Sequence, residues 1–399
     1  MATKAKHKLG RARAKLQRKL ARGWDRAVFA APQRPGETRE PKVVAGPGPL
    51  AADDPCADEL FAELWHEAED AAAAGLVKHS FVLDARRRIE LDARHGHLKQ
   101  RELDEATVAK VMGGKQRPLR PDRSGALLRA IGIMNPDGTI SARNAKKYKQ
   151  VNHLVELCRP LWAGRETETQ SEPLRIVDLA CGNSYLSFVL LEALRLEGVE
   201  ARLLGVDLRE DVIASSEARA RELGFDDRAS FTRASLEQLD PARLHAALGG
   251  PPAVAISLHA CDTATDAALT LAIRAEVEWI FAVPCCQAEL ARQLDTAGST
   301  IPSALPPPAL AHGLLRRGLA EVLTDALRVE LLEACGYELA VVEFVDSTHT
   351  PKNLLLRGRR ARALTPAKWR LEPVRERCAE LGVDPALLRS LLGLAMEPA

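Results

Sequence analysis

The 399 residues carry 56 Lys or Arg against 54 Asp or Glu, a formal net charge of +2, with 46% hydrophobic and 28% charged side chains. That composition belongs to a globular chain long enough for two or three domains, and it excludes a disordered or collagen-like one. No apolar run is long enough to span a bilayer, and the basic N-terminus lacks the apolar stretch of a secretory signal.

Charge is segregated along the chain. Residues 1–26 hold ten Lys or Arg against Asp25, a net of +9, and residues 115–149 hold nine against Asp122 and Asp137, a net of +7. The rest of the chain is therefore at −14. Arg outnumbers Lys by 41 to 15, as a GC-rich coding bias would give, but such a bias has no reason to gather cations in two segments. The pattern predicts a polyanionic partner, RNA, contacted through residues 1–26 and 115–149.

In the first segment Leu9, Leu16, Leu20 and Trp24 fall at roughly helical spacing among basic residues. This predicts either an amphipathic helix that folds on an anionic surface or a solvated tail. Six prolines and three glycines between Pro32 and Pro55 read as a linker, so residues 1–57 are expected to be a basic disordered tail and linker. Residues 58–144 are expected to be a helical substrate-recognition region. Leu60, Phe61, Leu64, Trp65 and Ala68 mark one helix, a second runs from Phe81 to Leu91, and Asp104 to Met112 is a short third. His95 and His97, split by Gly96 with no cysteine near, read as loop histidines. The cluster Arg143-Asn-Ala-Lys146-Lys147-Tyr148-Lys149 sets cations around a ring, a combination suited to single-stranded or hairpin RNA. Its alternative is a charged helix face continuing through Val151, Leu154, Val155 and Leu157.

Residues 145–362 carry the strongest pattern. A short strand from Leu174 to Leu179 is followed by the small-residue turn Ala180-Cys181-Gly182-Asn183-Ser184 and a helix; a second apolar run, Leu203 to Val206, ends at Asp207. A strand, a tight turn, a helix and a second strand closing on an acid form a dinucleotide-type half-fold. The turn lets a ligand approach the backbone, the helix N-terminus offers free amides, and Asp207 is placed for ribose hydroxyls. Further strands are expected at Ser230 to Thr232, Pro252 to Leu258, Trp279 to Val283, Tyr337 to Val345 and Asn353 to Arg357, the last two closing the sheet. Residues 363–399 add helices.

The turn is not the nicotinamide-cofactor fingerprint, because two of its three expected glycines are other small residues. Val177-Asp-Leu-Ala-Cys-Gly-Asn-Ser184 resembles motif I of class I methyltransferases, and Gly205-Val-Asp207 resembles their motif II. The resemblance implies an α/β, Rossmann-like seven-stranded sheet and S-adenosylmethionine as cofactor. It assigns Asp178 to the cofactor ammonium and Asp207 to the ribose. Ala180, Gly182, Asn183, Leu208, Ser235 and Leu258 complete the expected cofactor contacts, with Ser235 at the adenine edge.

Two stretches should stand at the carboxyl ends of the middle strands: Leu258-His-Ala-Cys-Asp-Thr-Ala-Thr-Asp266 and Val283-Pro-Cys-Cys-Gln287. The pair is similar to a family that includes methyltransferase-like 25 proteins. It is also similar to a tRNA 2′-O-ribose methyltransferase family, from which Asp262 and Gln287 depart. His259 or Asp262 is the expected general base, and Cys285 resembles the thiolate of cytosine-C5 enzymes. A zinc site from His259, Cys261, Cys285 and Cys286 is conceivable, but its spacing matches no standard pattern and no metal is expected. Eight scattered cysteines predict reduced thiols in the cytoplasm. The reading is an S-adenosylmethionine-dependent methyltransferase acting on RNA, tRNA or rRNA. Alternatives are a protein or small-molecule methyltransferase, or an inactive nucleic-acid-binding module of the same fold.

Overall fold

The computed structural model describes residues 2–32, 39–163, 172–258, 260–296, 305–344, 354–362 and 368–394. The chain divides into two compact units, Met1–Lys149 and Gln150–Ala399.

The first unit corrects the expectation of a disordered tail, a linker and a helical region. Its elements are α1 (Ala2–Leu20), β1 (Gly23–Ala30), β2 (Lys42–Pro49), α2 (Ala57–Ala73), β3 (Lys78–Val82), β4 (Arg87–Asp92), β5 (His97–Glu102), α3 (Glu105–Val111) and α4 (Gly125–Ala130). The strands form an antiparallel sheet in the order β2-β1-β3-β4-β5. Ala12, Leu16 and Leu20, spaced four apart on α1, join Phe61, Leu64, Trp65 and Ala68 of α2 in one core with Phe29, Phe81, Ile89 and Leu91 of the sheet. Burial of that shared face is what holds α1 as an ordered helix.

Two local devices explain the strands. The segment expected as a helix over Phe81 to Leu91 is a hairpin turned by Asp84, whose Oδ1 accepts from the amides of Arg86 at 2.8 Å and Arg87 at 2.7 Å. This carboxylate mimics a backbone turn without glycine or proline. Within the proline-rich stretch, β2 is an edge strand, where Pro47 and Pro49 need donate nothing to a neighbour. A Cβ on Gly46 would lie 2.0 Å from the Trp24 carbonyl oxygen, so only glycine lets β2 lie against β1 there.

The division between the units falls inside α5 (Ala142–Cys158). The second unit then alternates strand and helix: β6 (Leu174–Leu179), α6 (Tyr185–Leu196), β7 (Ala201–Asp207), α7 (Glu210–Leu223), β8 (Ala229–Arg233), α8 (Pro241–Leu248), β9 (Val254–Ser257), α9 (Thr263–Arg274), β10 (Trp279–Ala282) and α10 (Ala288–Thr296). It closes with α11 (Pro307–Ala311), α12 (Gly313–Ala334), β11 (Tyr337–Glu343), β12 (Leu354–Arg360), α13 (Lys368–Glu380) and α14 (Ala386–Leu394). The seven strands lie in the order β11-β12-β10-β9-β6-β7-β8. Strands β8, β7, β6, β9 and β10 pair in parallel, while β12 runs antiparallel to both β10 and β11. This is the expected Rossmann-like sheet. Helices cover the strands, so β6 and β9 read as near-continuous apolar runs.

Candidate active site

The sheet brings the carboxyl ends of β6, β7, β9 and β10 to one edge, and the expected cofactor residues gather after the first two. Asp178, next to last in β6, is 3% exposed. Its Oδ2 accepts a short hydrogen bond from the Ser187 hydroxyl, and among the described residues no cation pairs with it. Burial pushes its carboxyl up to about 7, with Ser187 opposing and the charge of Asp207 adding to the rise. An unpaired buried carboxylate is costly in ionised form, so this group is poised to receive a cation.

The turn after β6 is bent through three positive-φ residues: Ala180 at 60°, Gly182 at 52° and Ser184 at 53°. For the two non-glycine residues that conformation costs roughly 1–2 kcal/mol each. Three contacts hold it. The Cys181 amide donates to the Val206 carbonyl at 2.9 Å, Ser184 Oγ lies 3.0 Å from Ser216 Oγ on α7, and Arg219 donates to the Asn183 carbonyl at 2.7 Å while lying over the Tyr185 ring. Asp207 ties the two strand ends together: Oδ2 accepts from the Gly182 amide and Oδ1 from the Arg209 amide, both at 3.0 Å. Each oxygen keeps a further acceptor site for a ribose hydroxyl. A Cβ on Gly205 would meet the Phe231 ring at 2.4 Å and Cys181 Sγ at 3.1 Å, so glycine lets this turn pack on β7.

The other expected contacts are spread around this turn. Asn183 and Leu208 are exposed, Ala180, Gly182 and Ser235 are half-buried, and Ser235 lies two residues beyond β8. Leu258 is buried and lines a small apolar gap with Ile256, Phe281 and Leu154.

The expected catalytic residues have different fates. His259 lies outside the described residues. Asp262 is bound on both oxygens: Oδ1 accepts from the Glu289 amide and Oδ2 from Arg292, each at 2.8 Å. It thus caps the start of α10, with each carboxylate oxygen already engaged by a protein donor. Cys285 Sγ stands 3.1 Å from Cys261 Sγ and 3.8 Å from Cys286 Sγ. Burial first, then these neighbouring sulfurs, push the Cys285 thiol up to about 12, so it is protonated at neutral pH and not the activated thiolate of a cytosine-C5 mechanism.

Sequence reasoning missed Arg328 on α12. It is 2% exposed; Nε donates to Asp266 Oδ1 at 2.8 Å, Nη1 to Asp325 Oδ1 at 3.1 Å and Nη2 to the Asp262 carbonyl at 2.9 Å. Gln287 Nε2 donates to Asp325 Oδ2 at 3.0 Å. Arg328 therefore locks the loop after β9 and α9 to α12, and Gln287 ties the loop after β10 to the same Asp325. The one local signal in the sequence is the opposite charges of Asp325 and Arg328, three apart on one face of a helix that carries several other charges.

In the first unit the expected RNA-binding segments keep cations on the surface. Arg13, Lys15, Arg18 and Arg22 are exposed along and just after α1, and Arg143, Lys146, Lys147 and Lys149 along α5. Tyr148 is a correction: it is 1% exposed and its hydroxyl donates to the Leu119 carbonyl at 2.7 Å, so it anchors the helix and offers no ring for stacking. A cavity of about 390 Å³ in the same unit is lined by Arg26, Arg86, Arg88, Arg123 and Arg129 together with Asp25 and Asp122.

Residues 146–293 match the family model described as a methyltransferase domain. With the sheet order above, the chain is an S-adenosylmethionine-dependent methyltransferase, and S-adenosylmethionine is its cofactor. No curated protein matches the chain. Among solved structures it is similar to an SAH-bound methyltransferase of Podospora anserina, at 16% identity and a TM-score of 0.37 over 65% of this chain and 95% of that one. A putative rRNA methylase of Clostridium thermocellum gives 16% identity and a TM-score of 0.34 over 53% and 96%. An O-methyltransferase of Bacillus cereus in complex with SAH gives 11% and 0.34 over 64% and 96%. No helix among the described residues is long and apolar enough to cross a membrane.

Proposed function

We propose that this enzyme methylates RNA, either tRNA or rRNA, in the cytoplasm, and that the first unit recognises the substrate. The observation that carries the reading is the row of exposed cations on α5, Arg143, Lys146, Lys147 and Lys149, standing beside a buried Tyr148 that fixes the helix. Cations on a rigid helix neutralise phosphates without ordering cost at the moment of binding. The resemblance to a tRNA 2′-O-ribose family supports a hydroxyl acceptor, which must lose a proton during transfer. With Asp262 engaged on both oxygens, His259 is the candidate for that proton. The eight cysteines, all free, suit a reducing compartment.

The test supplies tritiated-methyl cofactor with total RNA, a protein extract and a small-molecule extract. Label is expected in RNA and lost on nuclease treatment. The triple variant Lys146→Glu/Lys147→Glu/Lys149→Glu should weaken RNA binding by at least about tenfold and flatten its salt dependence. Label confined to protein or small molecules would refute the RNA substrate; RNA binding with no label anywhere would mark an inactive binding module.

A further inference from the structure

The thiol cluster at the ends of β9 and β10 has no part in cofactor binding as described above. We infer that Cys261, Cys285 and Cys286 form a zinc site with three thiolate ligands and a fourth position open to an exchangeable ligand. The inference concerns the loop geometry and is independent of which acceptor the enzyme methylates.

Strands β9 and β10 are parallel neighbours, with Ser257 opposite Ala282, so the loops that follow them leave the sheet side by side. One loop supplies Cys261 and the other Cys285 and Cys286. Their three sulfurs lie within 4.8 Å of one another, at 3.1 Å for Cys261–Cys285 and 3.8 Å for Cys285–Cys286. Tetrahedral Zn–S bonds of ~2.3 Å set sulfurs ~3.8 Å apart, so closing the site changes each sulfur–sulfur distance by no more than about 1 Å.

The loops are also braced. Asp262, next to Cys261, is held at φ 53° and ψ −124°, a strained conformation for a residue with a side chain. Its carboxylate is fixed to the start of α10, the helix that follows Cys286, and its carbonyl to Arg328. The Ala260 carbonyl accepts from Thr265 Oγ1 at 3.0 Å on the other side of Cys261. Fixed outer contacts of this kind are what a metal site needs to keep its ligands converged. Exposure sets the open position: Cys261 is exposed and the other two are half-buried, so one face of a bound ion would meet solvent. Three protein ligands with an open fourth position is the arrangement of exchangeable rather than closed zinc sites. On binding, three Zn–S bonds form as three S–H bonds break, and the protons pass to solvent.

The test uses the full chain purified under reducing conditions, loaded with zinc and dialysed, with metal content by mass spectrometry and X-ray absorption at the zinc edge. About one zinc per chain bound by three sulfurs is expected. Cys261→Ser, Cys285→Ser and Cys286→Ser should each weaken zinc binding by about tenfold or more against a competing chelator. Cys56→Ser, in the first unit, should leave it unchanged. Cobalt substitution gives a second readout through the thiolate charge-transfer band, which should weaken in each of the three variants. Failure to retain zinc, a zinc shell without sulfur, or equal loss in Cys56→Ser would overturn the site. So would a Cys261–Cys285 disulfide formed in place of metal uptake under the same reducing conditions. Cofactor titration on the same samples reports whether the methyltransferase pocket is intact, so a failed metal site and a failed enzyme are read separately.

Discussion

The loops after β6 and β9 are built alike and used differently. Each carries a non-glycine residue at positive φ, Ala180 and Ser184 in one and Asp262 in the other, and each stands by a buried carboxylate. Asp266, near the second loop, has its own cation in Arg328. Asp178, beside the first, has only a serine hydroxyl among the described residues. A protein that supplies its own counter-charge builds a fixed joint, whereas one that withholds it leaves the charge to be met by a ligand. The first loop thus stands by a carboxylate with no counter-charge among the described residues, whereas Asp262 and Asp266 at the second are each paired with an arginine.

The largest expected effect breaks the satisfied side. Arg328→Met keeps the volume but leaves Asp266 and Asp325 buried without a cation. A loss of about 3–5 kcal/mol is expected, lowering Tm by roughly 10 °C. Burial already pushes both carboxyls up, and without the arginine they would protonate more readily. The loss should therefore be smaller at pH 5 than at pH 8; an equal drop at both would sink the explanation.

Asp178→Asn is the opposite case. A carboxyl raised from 3.8 to about 7 means the folded chain holds the proton more tightly than the unfolded one. Stability from this group is full below the unfolded value and is lost as pH rises through the folded one. The penalty at pH 8 is at most about 4 kcal/mol. Asparagine should therefore raise Tm at pH 8, change it little near pH 4, and weaken cofactor binding. With Asp178 assigned to the cofactor ammonium, wild-type affinity should increase between pH 6 and pH 8 as the carboxylate forms, and the variant should lose that dependence. Calorimetric titration across this range decides it.

A smaller effect, about 1–3 kcal/mol, is expected for Gly205→Ala, whose methyl would enter the Phe231 ring. Because Cys181 packs on the same glycine, the variant should also reduce cofactor affinity. Stability lost with affinity unchanged would show that the turn is independent of its support.

How much of this was legible follows the same division. The strand from Leu174 to Leu179 is legible to the residue, because a strand buried on both faces shows as a near-continuous apolar run, interrupted here by Arg175 and Asp178. Asp178 and Asp207 are legible because they stand next to and at the ends of their strands, at a switch between elements. The first unit was not. The Asx turn at Asp84 replaces the glycine that usually marks a hairpin, and β2 hides among prolines that only an edge strand tolerates. The Arg328 joint links residues 62 apart to build one polar centre, and no local pattern carries a pairing at that separation. The thiol cluster has no standard metal spacing in the sequence, since Cys261 and Cys285 meet only because β9 and β10 are neighbours.

The finest test of the comparison is one substitution made in both loops. Ala180→Gly removes a side chain from a φ of 60°, and no side-chain bond is lost with it. Relief of roughly 1–2 kcal/mol is offset by about 0.4–1 kcal/mol from the freer unfolded chain, leaving a net gain of at most about 1.6 kcal/mol. Asp262→Gly relieves a similar φ of 53° but also removes the cap on α10 and the Arg292 pair. Lost capping alone costs about 0.5–2 kcal/mol, so this variant should be neutral or destabilised. Thermal melts of the two should therefore move in opposite directions, Ala180→Gly slightly up and Asp262→Gly level or down. If both rose together, strain would outweigh contacts in the second loop as well, and Asp262 would have to be regarded as a residue kept for chemistry rather than for capping.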